Sequence, residues 1–208
     1  MNFKHAAIVG ILVCCSIAIP LPGMCASGSR LSTPEYLFQD GQASTRHRQS
    51  SIIEAAAYTF CYYNRRLSWK KACDYAQYVT EACRRFGADP SLVTAIIIKE
   101  SHAKENARSK YAVGLMQVYW RLHSKTIKKQ FPHITSEKIL MEPRNNIMVG
   151  TWLFTRYMVN SGGDEKKAMQ RYLGSQAGKY ISLVTQYRKR FNERVSYNMQ
   201  RYSKRVSQ

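Results

Sequence analysis

Residues 89–101 read Asp89-Pro90-Ser91-Leu92-Val93-Thr94-Ala95-Ile96-Ile97-Ile98-Lys99-Glu100-Ser101, and this stretch decides the fold. Asp followed by Pro is a helix start: the carboxylate caps free amides and the fixed φ of proline suits the first turn. The residues that follow are apolar almost all round, so this helix is expected to be buried. It ends on a carboxylate, Glu100. Burial against isoleucines disfavours the ionised form and raises the pKa towards neutrality. A carboxylic acid that keeps its proton at working pH can protonate a leaving oxygen. The competing reading is a solvated, inert glutamate. In either case the negative end of the helix dipole makes the placement locally costly.

Working outward, Gly87 closes a preceding helix that starts at the N-cap candidate Ser68 and carries Ala72, Tyr75, Ala76, Val79 and Cys83 to Phe86. Before it, Ile52, Ile53, Ala56, Ala57, Phe60 and Cys61 line one helix face from Ser50 onward. Residues 27–49 are Ser/Thr/Gln/Arg-rich and read as a mobile lead-in. Downstream, residues 102–113 read as a polar loop, and Gly114-Leu115-Met116-Gln117 is expected to open a helix through His123 and Ile127. Ser136 announces a short helix. Pro143 starts a long amphipathic one through Ile147, Gly150, Leu153, Phe154 and Met158, closed by Gly162-Gly163. Asp164 caps a helix through Ala168 and Tyr172, and Ile181, Val184, Tyr187, Phe191 and Val195 mark the last. No alternating strand pattern or internal repeat occurs, so the fold class is all-α.

Lys4 and His5, an apolar run over residues 6–19, then Pro20, Pro22, Gly23 and Met24-Cys25-Ala26 have the form of a secretory signal peptide. Cleavage is expected after Ala26, with export to the periplasm or cell envelope. The run is shorter than the roughly 20 residues needed to cross a bilayer. The chain carries thirty-two Lys+Arg against thirteen Asp+Glu, a formal net charge of +19, which favours polyanionic surfaces. Nucleic acid has no motif behind it and conflicts with export. Arg188, Lys189, Arg190, Arg194, Arg201, Lys204 and Arg205 face only Glu193. They read either as a solvated helix face with a frayed tail or as a salt-sensitive grip on anionic wall or membrane. In an oxidising compartment two of Cys61, Cys73 and Cys83 can pair, leaving one thiol; a structural role is expected for all three.

Glu100-Ser101, Ala107, Ser109, Ala112 and Gly114-Leu115-Met116-Gln117 resemble the soluble-lytic-transglycosylase (SLT) domain family of the lysozyme-like superfamily, whose signature runs E-S-x-F-N-P-x-A-x-S-x-x-G-A-x-G-L-M-Q. Asn146-Ile147 with Gly150-Thr151 looks like its second motif. Arg171-Tyr172-Leu173-Gly174, with Tyr180 downstream, looks like its third, usually written around A-Y-N-A-G. The ordered set covers roughly residues 76–192. The resemblance implies a lysozyme-like helical domain with a long groove that cuts the β-1,4 bond between N-acetylmuramic acid and N-acetylglucosamine without adding water. Glu100 would protonate the glycosidic oxygen and then, as carboxylate, take the proton of the muramoyl C6 hydroxyl, closing a 1,6-anhydro ring. No second enzyme carboxylate is then required, in contrast to ordinary glycosidases.

Carried over in the same way, Tyr172 corresponds to a tyrosine whose hydroxyl lies near the acid and orients it. The substrate-binding set is Ser101, Met116, Gln117, Asn146 and Tyr180, with Asn146 more in the character of a helix-holding residue. Departures are expected to alter subsite shape: Ala103-Lys104-Glu105 stands for F-N-P, the first glycine of G-A-x-G has no counterpart, Leu173 replaces an asparagine, and Val118-Tyr119-Trp120 follows Gln117. Glu105 reads as a solvated charge, and Glu142, Asp164 and Glu165 as caps or surface groups. Tyr119, Trp120 and Trp152 are candidates for sugar stacking or for the core. His102, His123 and His133 lack metal-ligand spacing, so neither metal nor cofactor is expected. The expected organisation is a signal peptide at 1–26, a lead-in and helical extension at 27–75, the catalytic domain at 76–195 and a basic tail at 196–208. The expected partner is peptidoglycan glycan strands, acted on by a monomer, with an envelope-spanning secretion or surface assembly as a further partner. A hydrolytic muramidase of the same fold, or a weakly active peptidoglycan-binding module, is the alternative.

Overall fold

The computed structural model describes residues 35–173 and 177–207; the signal-peptide candidate and Gly174-Ser175 of the third motif lie outside them. The helices in order are α1 (Glu35–Tyr63), α2 (Trp69–Phe86), α3 (Pro90–Ser101), α4 (Trp120–Gln130), α5 (Glu137–Leu140), α6 (Pro143–Asn160), α7 (Glu165–Leu173) and α8 (Ala177–Val206). Their starts follow local chemistry. Ser68 Oγ accepts from Lys71 N, Asp89 Oδ1 from Ser91 N, Ser136 Oγ from Ile139 N and Asp164 Oδ1 from Lys167 N. Gly87 ends α2 in the left-handed conformation (φ 68) that glycine adopts without steric cost.

The central element is α3. Every residue from Ser91 to Ile98 is buried, so the helix is apolar all round because neighbours cover it all round. It packs against α2 and α8; α6 packs against α2, α5 and α7. Each fully buried Ile or Leu contributes roughly 1.5–3 kcal/mol, which makes α3 a firmly held support for a functional group at its end.

Three elements differ from the sequence reading. α1 begins at Glu35, inside the stretch read as an aperiodic lead-in; its later half is covered by α8, where Arg194 pairs with Glu54 at 2.8 Å and lies 4.4 Å from the Tyr58 ring centre. Arg190 stacks 3.8 Å over Tyr62, and Tyr63 meets Tyr187 edge-on at 4.7 Å. Second, α6 is buried continuously from Asn146 to Phe154 and is therefore not amphipathic there. Third, Gly114–Gln117 is a turn rather than a helix start, and α4 begins only at Trp120. Isolated bridges Arg108↔Val113 and Val113↔Val118 stiffen that turn.

The candidate basic tail is part of α8, which continues to Val206. Several of its arginines are occupied internally: Arg188 pairs with Asp89 and Glu165 at 2.7 and 2.8 Å, and Arg201 lies 5.8 Å from the Tyr197 ring. Among the described residues no helix is long and apolar enough to cross a membrane.

Candidate active site

Glu100 occupies the last turn of α3, where the buried helix reaches the surface of a groove of about 480 Å³. Gln117, Tyr119, Leu122, Tyr157 and Tyr172 contribute to the walls, and among the described residues Glu100 is the only carboxylate in the lining. The side chain is half-buried. Its Oε1 accepts a 2.7 Å hydrogen bond from Tyr180 Oη on α8. Burial pushes the carboxyl pKa up, while the Tyr180 hydrogen bond and the Lys99 charge pull it down; the net direction is up. Tyr172 and Tyr180 hydroxyls are both held well above the ordinary phenol range, first by burial and then by the nearby Glu100 charge. The arrangement can therefore deliver a proton from Glu100 into a cleft and stabilise the carboxylate left behind.

Opposite the acid, the turn at residues 114–117 is fixed from beneath. Asn146 is fully buried; its Oδ1 accepts from Met116 N at 2.8 Å and its Nδ2 donates to Val113 O at 2.9 Å. Gly114 sits so close that a Cβ there would lie 2.3 Å from Asn146 Nδ2. Met116 is also fully buried, and a Cβ on Gly150 would lie 2.5 Å from its Sδ. Tyr172 Oη donates to Met116 O at 2.7 Å. The result is a rigid turn that carries Gln117 to the groove in left-handed backbone (φ 47). Its Nε2 donates to Ala107 O at 3.1 Å and Gly114 O at 3.0 Å. Left-handed backbone at a non-glycine residue costs on the order of 1–3 kcal/mol and survives only where contacts impose it.

The sequence matches the transglycosylase SLT domain family over residues 77–199. The chain belongs to that family. Its membership makes it a lysozyme-like, all-α protein of the lytic-transglycosylase type, with peptidoglycan as the substrate class. Within this SLT domain the first and third motifs meet through Glu100 and Tyr180, and the first and second through the 114–117 turn and Asn146.

Several expected roles change on the structure. The hydroxyl bonded to the acid belongs to Tyr180, placed in the sequence among substrate-binding residues; Tyr172 lies near enough to Glu100 to feel its charge, but its hydroxyl donates to Met116 O. Asn146 and Met116 are sealed beneath the turn, and Ser101, 5% exposed, returns its hydroxyl to Ile97 O at 3.0 Å. These three are buried and outside the groove lining, to which Gln117 of that set belongs. Glu105 is not free in solvent: Lys71 Nζ and Tyr75 Oη donate to it at 2.5 and 2.6 Å, holding its pKa down. Of the three aromatic candidates, Tyr119 lines the groove, Trp120 is partly buried, and Trp152 packs in the core edge-on to Phe131 at 5.5 Å. Cys61, Cys73 and Cys83 are free thiols away from the lining, raised by burial, with Cys83 pushed up to about 12.

Tyr111, Leu122, His123 and Arg171 also line the groove and had not been singled out as binding residues. Tyr111 is 55% exposed and tilts against Tyr119 at 5.5 Å. Its signal was legible: a large aromatic in a loop with no apolar periodicity has no core to enter. A larger open depression of about 690 Å³ is walled by α8 residues alone, Arg188 and Tyr197 among them. One helix face without an opposing wall cannot enclose a sugar strand.

Proposed function

We propose that the protein is a lytic transglycosylase that cleaves the β-1,4 bond between N-acetylmuramic acid and N-acetylglucosamine and leaves 1,6-anhydromuramoyl ends. The observation carrying this reading is Glu100, the only carboxylate lining the groove among the described residues, half-buried and hydrogen-bonded to Tyr180. A hydrolase of the paired-carboxylate type needs a second acid across the bond; a reaction that uses the muramoyl C6 hydroxyl does not. Glu100 acts first as general acid, giving its proton to the glycosidic oxygen as the C1–O bond breaks. The N-acetyl oxygen of the muramoyl residue supports the cation at C1. Glu100, now a carboxylate bound by Tyr180, takes the C6 hydroxyl proton as that oxygen attacks C1. The proton is returned to the enzyme and no water enters. Tyr111 and Tyr119 supply ring faces against which sugars can stack.

The N-terminal segment supports export, with residues 1–26 removed and the enzyme acting in the periplasm or envelope as a monomer. Its domain is taken as residues 76–195. Mass analysis of fragments released from purified peptidoglycan tests the reaction class. Anhydro ends, lighter than reducing ends by one water, are expected. Reducing ends would instead assign a hydrolytic muramidase, and wall binding without release a binding module.

A further inference from the structure

The family match begins at residue 77, yet the groups that hold the segment after the acid lie before it. The chain reverses directly behind Glu100. His102 and Ala103 both take left-handed backbone, φ 52 and 54, a conformation that residues with side chains adopt only when surrounding contacts impose it. Asn64 Nδ2, in the turn between α1 and α2, donates to Ala103 O at 3.2 Å. Two residues further on, Glu105 accepts from Tyr75 Oη at 2.6 Å and from Lys71 Nζ at 2.5 Å, one on each carboxylate oxygen. Tyr75 is 2% exposed and meets Phe60 edge-on at 6.3 Å, so this anchor is as fixed as the core. Across residues 103–105 the family pattern has Phe-Asn-Pro, where the proline ring stiffens the segment itself. Ala103-Lys104-Glu105 has no such stiffness of its own.

We propose that the chain preceding the family match positions the catalytic acid: Asn64 in the α1–α2 turn, with Lys71 and Tyr75 in the first turns of α2, hold the left-handed turn at residues 102–103 through Ala103 and Glu105. Glu100 is two residues from that turn. Once the anchor is released, His102 and Ala103 relax to ordinary backbone, the last turn of α3 loosens and the Glu100 carboxyl leaves Tyr180. Lys71, Tyr75 and Glu105 are thus positioning residues, acting on Glu100 from a distance. The charged and titratable groups facing Glu100 are Lys99 on its own helix, Tyr172 from α7 and Tyr180 from α8; the variants below alter none of them. The inference rests on the reading of Glu100 as the acid.

The test compares full-length Glu105→Ala and Glu105→Gln with the wild type. In Glu105→Ala, kcat is expected to fall about 10- to 100-fold with KM little changed, the signature of a displaced reacting group. The limb on which activity falls with rising pH moves to lower pH, because a better-solvated carboxyl returns towards its ordinary 4.5. Glu105→Gln keeps an acceptor for Tyr75 and restores most of kcat. An NMR titration of the Glu100 carboxyl carbon reads the same displacement without turnover. An unchanged titration and kcat in Glu105→Ala, or equal loss in both variants, overturns the proposal. A wild type that yields no anhydro ends would instead overturn the assigned reaction, and the titration would still decide the anchor.

Discussion

Glu100 illustrates how one residue can be unfavourable for folding and apt for chemistry. Its pKa is raised in the folded protein, so the folded state holds the proton more tightly than the unfolded chain. The associated stability is full below the ordinary value of 4.5 and is lost as pH rises through the raised value. Glu100→Gln removes that loss. Its melting temperature is expected to exceed that of the wild type at neutral pH and to match it near pH 4, as followed by calorimetry. Tyr180→Phe removes a hydrogen bond to the charged form, so the Glu100 pKa rises further and the descending limb of the pH–rate profile moves up. Tyr172→Phe removes a bond to a backbone carbonyl instead. It should cost about 0.5–1.5 kcal/mol of stability in denaturant titration and leave that limb in place. The acid was legible in the sequence because a carboxylate ending an apolar run is chemically anomalous. The two tyrosines were not separable there, since which hydroxyl meets the acid depends on where α8 crosses α3 and where α7 meets the 114–117 turn.

At the scale of elements, helix starts were legible wherever a side chain caps its own helix, as at Ser68, Asp89, Ser136 and Asp164. The 114–117 segment misled because its order comes from Asn146 and Gly150, distant in sequence, and not from local periodicity. Close approach of α6 to this turn has a measurable consequence. Gly150→Ala places a methyl within 2.6 Å of both Met116 Sδ and its Cβ, so a loss of about 1–3 kcal/mol is expected, with a fall in activity because Gln117 moves with Met116. Wild-type stability and rate in this variant would show the approach to be looser than described. Within α3, Ile96→Ala removes a fully buried side chain and should cost about 2–5 kcal/mol.

For the molecule as a whole, the core extends beyond the family match. Phe60, Ala55, Ala56 and Ala57 of α1 and Ala72, Tyr75 and Ala76 of α2 are buried in the same core as α3, yet all precede residue 77. A chain limited to residues 77–199 is therefore expected to lack a cooperative thermal transition, whereas one beginning at Glu35, the start of α1, should keep it. That dependence was not legible in the motifs, which mark the site and not the surfaces that cover it. The +19 charge acts at this scale too: sedimentation with purified walls should weaken as salt rises from 0.05 to about 0.5 M, since the screening length shortens from above to below about 10 Å.

The most direct measurement is the rate at which Glu100→Gln releases soluble fragments from purified peptidoglycan, with its fold verified by the calorimetry above. An amide in the same place keeps the contact with Tyr180 but has no proton to give, so no release is expected from a protein at least as stable as the wild type. Release at near wild-type rate would contradict the assignment of Glu100 as the proton donor.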